Sequence, residues 1–137
     1  MNKKTAVFVC VENACRSQMA EAFAKMLGGD VIKSYSAGSQ PSGKLNEKAV
    51  ASMLSLNYDL SKHRSAGLDA LPAIEFDYLI TMGCKDQCPS LRTRHRIEWL
   101  IPDPKHMCPK DFARIRDLIR KNVTQLIEEI RNRAPTA

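Results

Sequence analysis

Short apolar runs alternate with helix-period segments along almost the whole chain, and few folds accept that pattern. Residues 5–11, TAVFVCV, read as a buried strand, and residues 31–36, 76–82 and 97–101 as three more. Between and after them, residues 16–27, 46–57 and 109–131 carry apolar positions at helical spacing. The first of these helices is stopped by GGD, and the last takes Pro109 in its first turn. Strands alternating with helices demand right-handed crossovers, so the expected fold is α/β, with a four-stranded parallel sheet covered on both faces. At 137 residues, with neither repeats nor an internal linker, the chain is expected to form one domain over 1–137.

In such a sheet, ligands bind beyond the carboxyl ends of the strands. That is where CVENACRS, residues 10–17, falls: after the first strand and ahead of the first helix. A loop in that position offers unpaired backbone N–H groups and the positive end of a helix dipole, which together suit an anion. Arg16 adds a planar fork of donors matched to a tetrahedral oxyanion. Cys10 lies in the same field, which favours its thiolate, and a thiolate aimed at a cradled oxyanion is an activated nucleophile. Val11, Glu12, Asn13, Ala14, Cys15, Arg16 and Ser17 therefore form the expected oxyanion loop. Ser17 is suited to donate to the thiolate, and Asn13 to fix the loop's shape. A purely structural reading explains Cys10 as a small buried hydrophobe, but it leaves Arg16 without a reason.

Composition narrows the partners. The net charge is +6, which suits an oxyanion, an acidic surface or nucleic acid. The basic residues are scattered and aromatics make up only 6%, so no stacking platform for nucleic acid is expected, and RTRHR at 92–96 reads as a solvated face. The apolar run near the start breaks at Glu12 and Asn13, too early for a secretory signal, and no stretch is long enough to span a membrane. A cytoplasmic protein is expected. Five cysteines in a reducing compartment point to chemistry or metal before structural disulfides.

CVENACRSQMAEAF, SYSAGS, FDYLITMG and EWLIPDP, in that order, resemble landmarks of the low-molecular-weight protein tyrosine phosphatases and of the arsenate reductases built on the same fold. The resemblance runs from about residue 5 to residue 130. It implies a three-layer, flavodoxin-like α/β/α fold, with Cys10 as nucleophile and Arg16 as oxyanion ligand. It also implies that Asp103, in PDP, is the acid that protonates a leaving group; taken alone, IPDP reads as a turn.

Within that resemblance the thiols favour a reductase. A phosphatase hydrolyses its cysteinyl adduct with water, whereas reduction of As(V) to As(III) requires further thiols to resolve it. Cys84 and Cys88, in TMGCKDQCP, follow the third strand at the sheet end of Cys10. Thioredoxin-coupled arsenate reductases carry a cysteine pair in this region and favour glutamine after CRS, as in Gln18; no tyrosine stands beside Asp103-Pro104, as tyrosine phosphatases have. At i and i+4, a helical turn would bring the two cysteines about 6 Å apart, a bridgeable separation. Cys15 and Cys108 remain alternative resolving thiols. The expected substrate is arsenate, with phosphate or sulfate competing, and the expected reductant an external thioredoxin-like protein, with no organic cofactor or metal and a monomeric state. Asn13, Glu21 and Ser36 match a potassium site known in some of these reductases, but Ala66 stands where its aspartate is expected. Two other readings stay open: a phosphatase acting on aryl phosphates, and a basic binding module with zinc on Cys84, Cys88 and Cys108, His95 or His106 and nucleic acid on residues 92–96.

Overall fold

The structure is a computed structural model that describes residues 3–83 and 91–133. Four strands, β1 (Lys4–Cys10), β2 (Ile32–Gly38), β3 (Phe76–Thr81) and β4 (Thr93–Glu98), are combined with helices α1 (Arg16–Gly28), α2 (Glu47–Leu54) and α3 (Pro109–Arg133), which follow β1, β2 and β4. The sheet is parallel throughout, in the order β2-β1-β3-β4. This is the α/β architecture expected of the alternation.

β1 lies at the centre because its residues leave it no wet face. Ala6, Val7, Phe8 and Val9 are fully buried. One set of alternate residues, Ala6 and Phe8 with Tyr78 and Ile80, packs on Met19, Ala20 and Phe23 of α1, Met53 of α2, and Ile119, Val123 and Ile127 of α3. The other set, Val7 and Val9 with Phe76 and Leu79, packs against Leu68, Leu71 and Leu91. All four strands run the same way, so the carboxyl ends of β1, β2 and β3 open at one edge of the sheet, where β1 enters the loop 10–15.

Two boundaries depart from the sequence reading. α2 is shorter than 46–57. Asn46 caps it, its side chain accepting from the N–H groups of Lys48 (2.8 Å) and Ala49 (3.2 Å). The chain then unwinds to a left-handed Asn57 at φ 65°. β4 begins earlier than residue 97 and ends before Trp99. Its exposed, charged stretch Arg94–Arg96 forms the sheet edge, where charge blocks pairing with another chain, so an apolar pattern points past it. Residues 99–101 leave the sheet instead: Trp99 packs on Phe8 with ring centroids 5.9 Å apart. Among the described residues no helix is long and apolar enough to cross a membrane.

Candidate active site

The loop from Cys10 to Cys15 holds its shape by turning its carbonyls outward. Ser39 N–H donates to the Cys10 carbonyl, Gln40 N–H to Val11 and Ser42 N–H to Glu12. Asn46 N–H donates to the Ala14 carbonyl, and the Gln18 side chain to that of Asn13. In a trans peptide the following N–H points opposite to the carbonyl. The N–H groups of residues 11–15 therefore turn inward, over Cys10, at the start of α1. Asn13 makes the tight passage at φ 51°, a conformation asparagine tolerates better than most residues. Gly38 makes room for the loop: a Cβ there would lie 2.6 Å from the Val11 carbonyl oxygen.

Cys10 lies at the bottom of this cradle, 3% exposed. Its Sγ is 2.9 Å from Ser17 Oγ. Ala66 N–H can only donate, and it meets Asn13 Oδ1 at 2.8 Å. That fixes the amide, so Asn13 Nδ2 donates to Ser17 Oγ at 2.8 Å. Towards a Cys10 thiolate, which can only accept, the Ser17 hydroxyl donates. The same logic continues outward. Gln18 Nε2 faces the carbonyls of Asn13 and Arg64, so its Oε1 accepts from His63 Nδ1 at 2.9 Å. His63 Nε2 then accepts from the Tyr58 hydroxyl at 2.6 Å. Burial holds His63 below the ordinary histidine value, opposed by Glu21, which agrees with this neutral tautomer.

Arg16 is 7% exposed, and its Nη1 donates to the Ile101 carbonyl at 2.9 Å. Nη2 stands 3.8 Å from Asp103 Oδ2. Gly83 gives the guanidinium its space, since a Cβ there would lie 2.5 Å from Nη1; its φ is 76°. Asp103 is half-exposed and accepts from Lys105 N–H at 3.0 Å, the turn anticipated from IPDP. Cys10, Glu12, Arg16, Asn46, Asp103 and Lys105 line a cavity of about 150 Å³. That is well below the roughly 300–1,000 Å³ of pockets for drug-sized ligands. It suits a small oxyanion.

Cys10, Arg16, Asp103 and the loop residues thus meet at one cavity. Cys15 is buried, and that burial, reinforced by the charges at Cys10 and Asp103, pushes its thiol far above the ordinary range. That disfavours its thiolate. Cys108 is exposed, next to α3. Cys84 and Cys88 lie outside the described residues, and with them the relay pair and the main zinc ligands. Among the described residues no group of three His, Cys, Asp or Glu side chains is arranged to hold a metal. Of the potassium candidates, Ser36 Oγ donates to Glu21 Oε1 at 2.6 Å, while Lys25 Nζ lies 3.2 Å from Glu21 Oε2. Asn13 Oδ1 faces Ala66 N–H and Gln18 instead. Among the contributors without a role in the sequence reading are Tyr58, His63 and Lys105, whose Nζ meets Glu12 Oε2 at 2.8 Å. Histidine and lysine side chains so far from residues 10–17 in sequence give no local signal; the glycine that ends the second strand, Gly38, and the one after the third, Gly83, do.

The pattern of the low molecular weight phosphotyrosine protein phosphatase family matches residues 5–135. An arsenate reductase of Staphylococcus aureus is 39% identical over 124 residues, covering 88% of this chain and 93% of that one. Arsenate reductase 1 of Staphylococcus haemolyticus is 35% identical over 133 residues, covering 95% and 99%. Among solved structures, an arsenate reductase in the phosphate binding state superposes with a TM-score of 0.84 at 32% identity, covering 93% of this chain and 98% of that one. The thioredoxin-dependent arsenate reductase of Corynebacterium glutamicum superposes with a TM-score of 0.75 at 29% identity, covering 94% and 62%.

Proposed function

The chain belongs to the low molecular weight phosphotyrosine protein phosphatase family, and we propose that within it this protein is an arsenate reductase, converting As(V) to As(III) with electrons from an external thioredoxin-type thiol. The observation that carries this is the small cavity over a buried, hydrogen-bonded Cys10, in a chain whose similar relatives are arsenate reductases.

The chemistry proceeds in three exchanges. The Cys10 thiolate, held by the Ser17 hydroxyl, attacks arsenic in an arsenate bound by loop N–H groups and Arg16. A sulfur–arsenic bond forms and one oxygen leaves as water, with Asp103 supplying its proton. A second thiolate then attacks Cys10 sulfur; the sulfur–arsenic electron pair stays on arsenic, and arsenite leaves. A third thiolate opens that disulfide and frees Cys10, and the external dithiol reduces the bridge that remains. We assign the second and third thiols to Cys84 and Cys88, in that order. Gly83, the residue before Cys84, abuts the Arg16 guanidinium, whereas the raised Cys15 thiol is a poor attacking group. The protein works as a cytoplasmic monomer of one domain over 1–137, with neither potassium nor an organic cofactor.

Asp103, facing the cavity of Cys10, also favours residual hydrolysis of aryl phosphates, because arsenate and phosphate share shape and charge. One assay separates the two activities: arsenate-dependent NADPH oxidation with thioredoxin and thioredoxin reductase, beside hydrolysis of an aryl phosphate. Arsenate turnover is expected to dominate. Aryl phosphate hydrolysis without arsenate turnover makes the protein a phosphatase.

A further inference from the structure

An ion pair that the chemistry above does not use stands at the rim of the Cys10 cavity. Glu12 extends from the anion loop, and Lys105 from the turn that carries Asp103; Lys105 Nζ meets Glu12 Oε2 at 2.8 Å. Both residues line the cavity, and both side chains are partly exposed, which puts the bridge at its rim. Each end is tied to its wall. The Glu12 carbonyl accepts from Ser42 N–H and from Ser65 Oγ, and Lys105 N–H donates to Asp103 Oδ1. A carboxylate in an anion loop is otherwise hard to explain, since an unpaired Glu12 repels the dianion that the loop binds. Lys105 neutralises it, and the hydrogen bond to Glu12 raises the lysine above its ordinary value, so the ammonium form is secured.

We propose that the Glu12–Lys105 bridge is a specificity bar, selecting free inorganic oxyanions over phosphate esters. A free tetrahedral anion needs only the floor of the cavity, with its loop N–H groups and Arg16. An ester must carry its organic group out past the rim where the pair stands, beside Asp103, and there it meets the pair. An exposed ion pair resists weakly, so the bar is worth up to about fivefold in relative affinity. It adds selectivity without changing the chemistry at Cys10.

This inference rests on the oxyanion site proposed above, and the test separates the two. Full-length protein is alkylated with iodoacetamide, modification of Cys10 is followed by peptide mapping, and protection is titrated with phosphate and with phenylphosphonate. Wild type is expected to favour phosphate. In the Glu12→Ala/Lys105→Ala variant the preference should fall by up to about fivefold through tighter phenylphosphonate protection. In the exchanged pair Glu12→Lys/Lys105→Glu it should return towards wild type. An unchanged ratio in the double alanine variant overturns the bar while leaving the site intact. Failure of phosphate to protect wild-type Cys10 overturns the site itself, and the bar with it.

Discussion

The two sides of Cys10 are built differently. Behind it, Asn13, Ser17 and Gln18 are all fully buried, and they run in one hydrogen-bonded chain to His63 and Tyr58. In front, Asp103, Lys105 and Glu12 are partly exposed and paired across solvent. A buried polar group left unsatisfied costs about 1–3 kcal/mol, whereas an exposed ion pair is worth about 0–1 kcal/mol. The rear network therefore fixes the Cys10 side chain and contributes to stability. On the proposed mechanism the rim supplies a proton and selects ligands, and its exposed pairs are expected to matter little for stability.

Substitutions on each side test this contrast. The largest effect belongs to the centre: Cys10→Ser should abolish both arsenate reduction and aryl phosphate hydrolysis, and substantial turnover of either would remove Cys10 from the mechanism. At the rim, Asp103→Ala should slow any aryl phosphate hydrolysis by about 10²–10⁴-fold, the usual worth of a general acid, while leaving the urea unfolding midpoint nearly unchanged. Hydrolysis at the wild-type rate would reduce Asp103 to a turn residue.

At the rear the signature inverts, with stability responding as well as rate. Asn13→Ala should cost about 1–3 kcal/mol in urea unfolding, because it orphans the partly buried Ala66 N–H, takes an acceptor from the fully buried Gln18 amide and imposes φ 51° on alanine. A change no larger than that of Asp103→Ala would erase the distinction between the two sides. His63 gives the pH dependence. Its folded value lies below the ordinary 6.5, so the unfolded chain binds the proton first as pH falls. Its contribution to stability is full above about 6.5 and declines below it, through the lower folded value. His63→Gln should flatten that part of the profile, and an equally steep decline in the variant would show that other groups cause it. The smallest effect is expected from potassium: with Lys25 already beside Glu21 and Ala66 presenting an N–H to Asn13, potassium and sodium should give the same melting temperature. A saturable rise in potassium alone would contradict this.

Much of the fold was legible because its centre is made of local signals. β1, its loop and α1 are contiguous, and the apolar runs and helix-period stripes mark them directly. Cys10, Arg16 and Ser17 sit within that stretch, so their proximity follows from one strand–loop–helix unit. The rest depends on distant partners. The arginine-rich start of β4 reads as solvated surface, and it is indeed exposed, but it is also an edge strand held by backbone pairing to β3. Lys105 reaches Glu12 from 93 residues away, and His63 reaches Gln18 from 45, contacts that no local pattern encodes. Asp103 was found through resemblance, since its own sequence suggests only a turn.

Attack of Cys10 on arsenate, and resolution of the adduct by the cysteines after β3, can be followed in a single turnover. Reduced Cys88→Ser is mixed with arsenate without thioredoxin, quenched with acid, and mapped under non-reducing conditions. The expected products are stoichiometric arsenite and an accumulated Cys10–Cys84 disulfide. Arsenite released with Cys10 joined instead to Cys15 or Cys108, or no arsenite at all from a folded variant that binds arsenate, would contradict it.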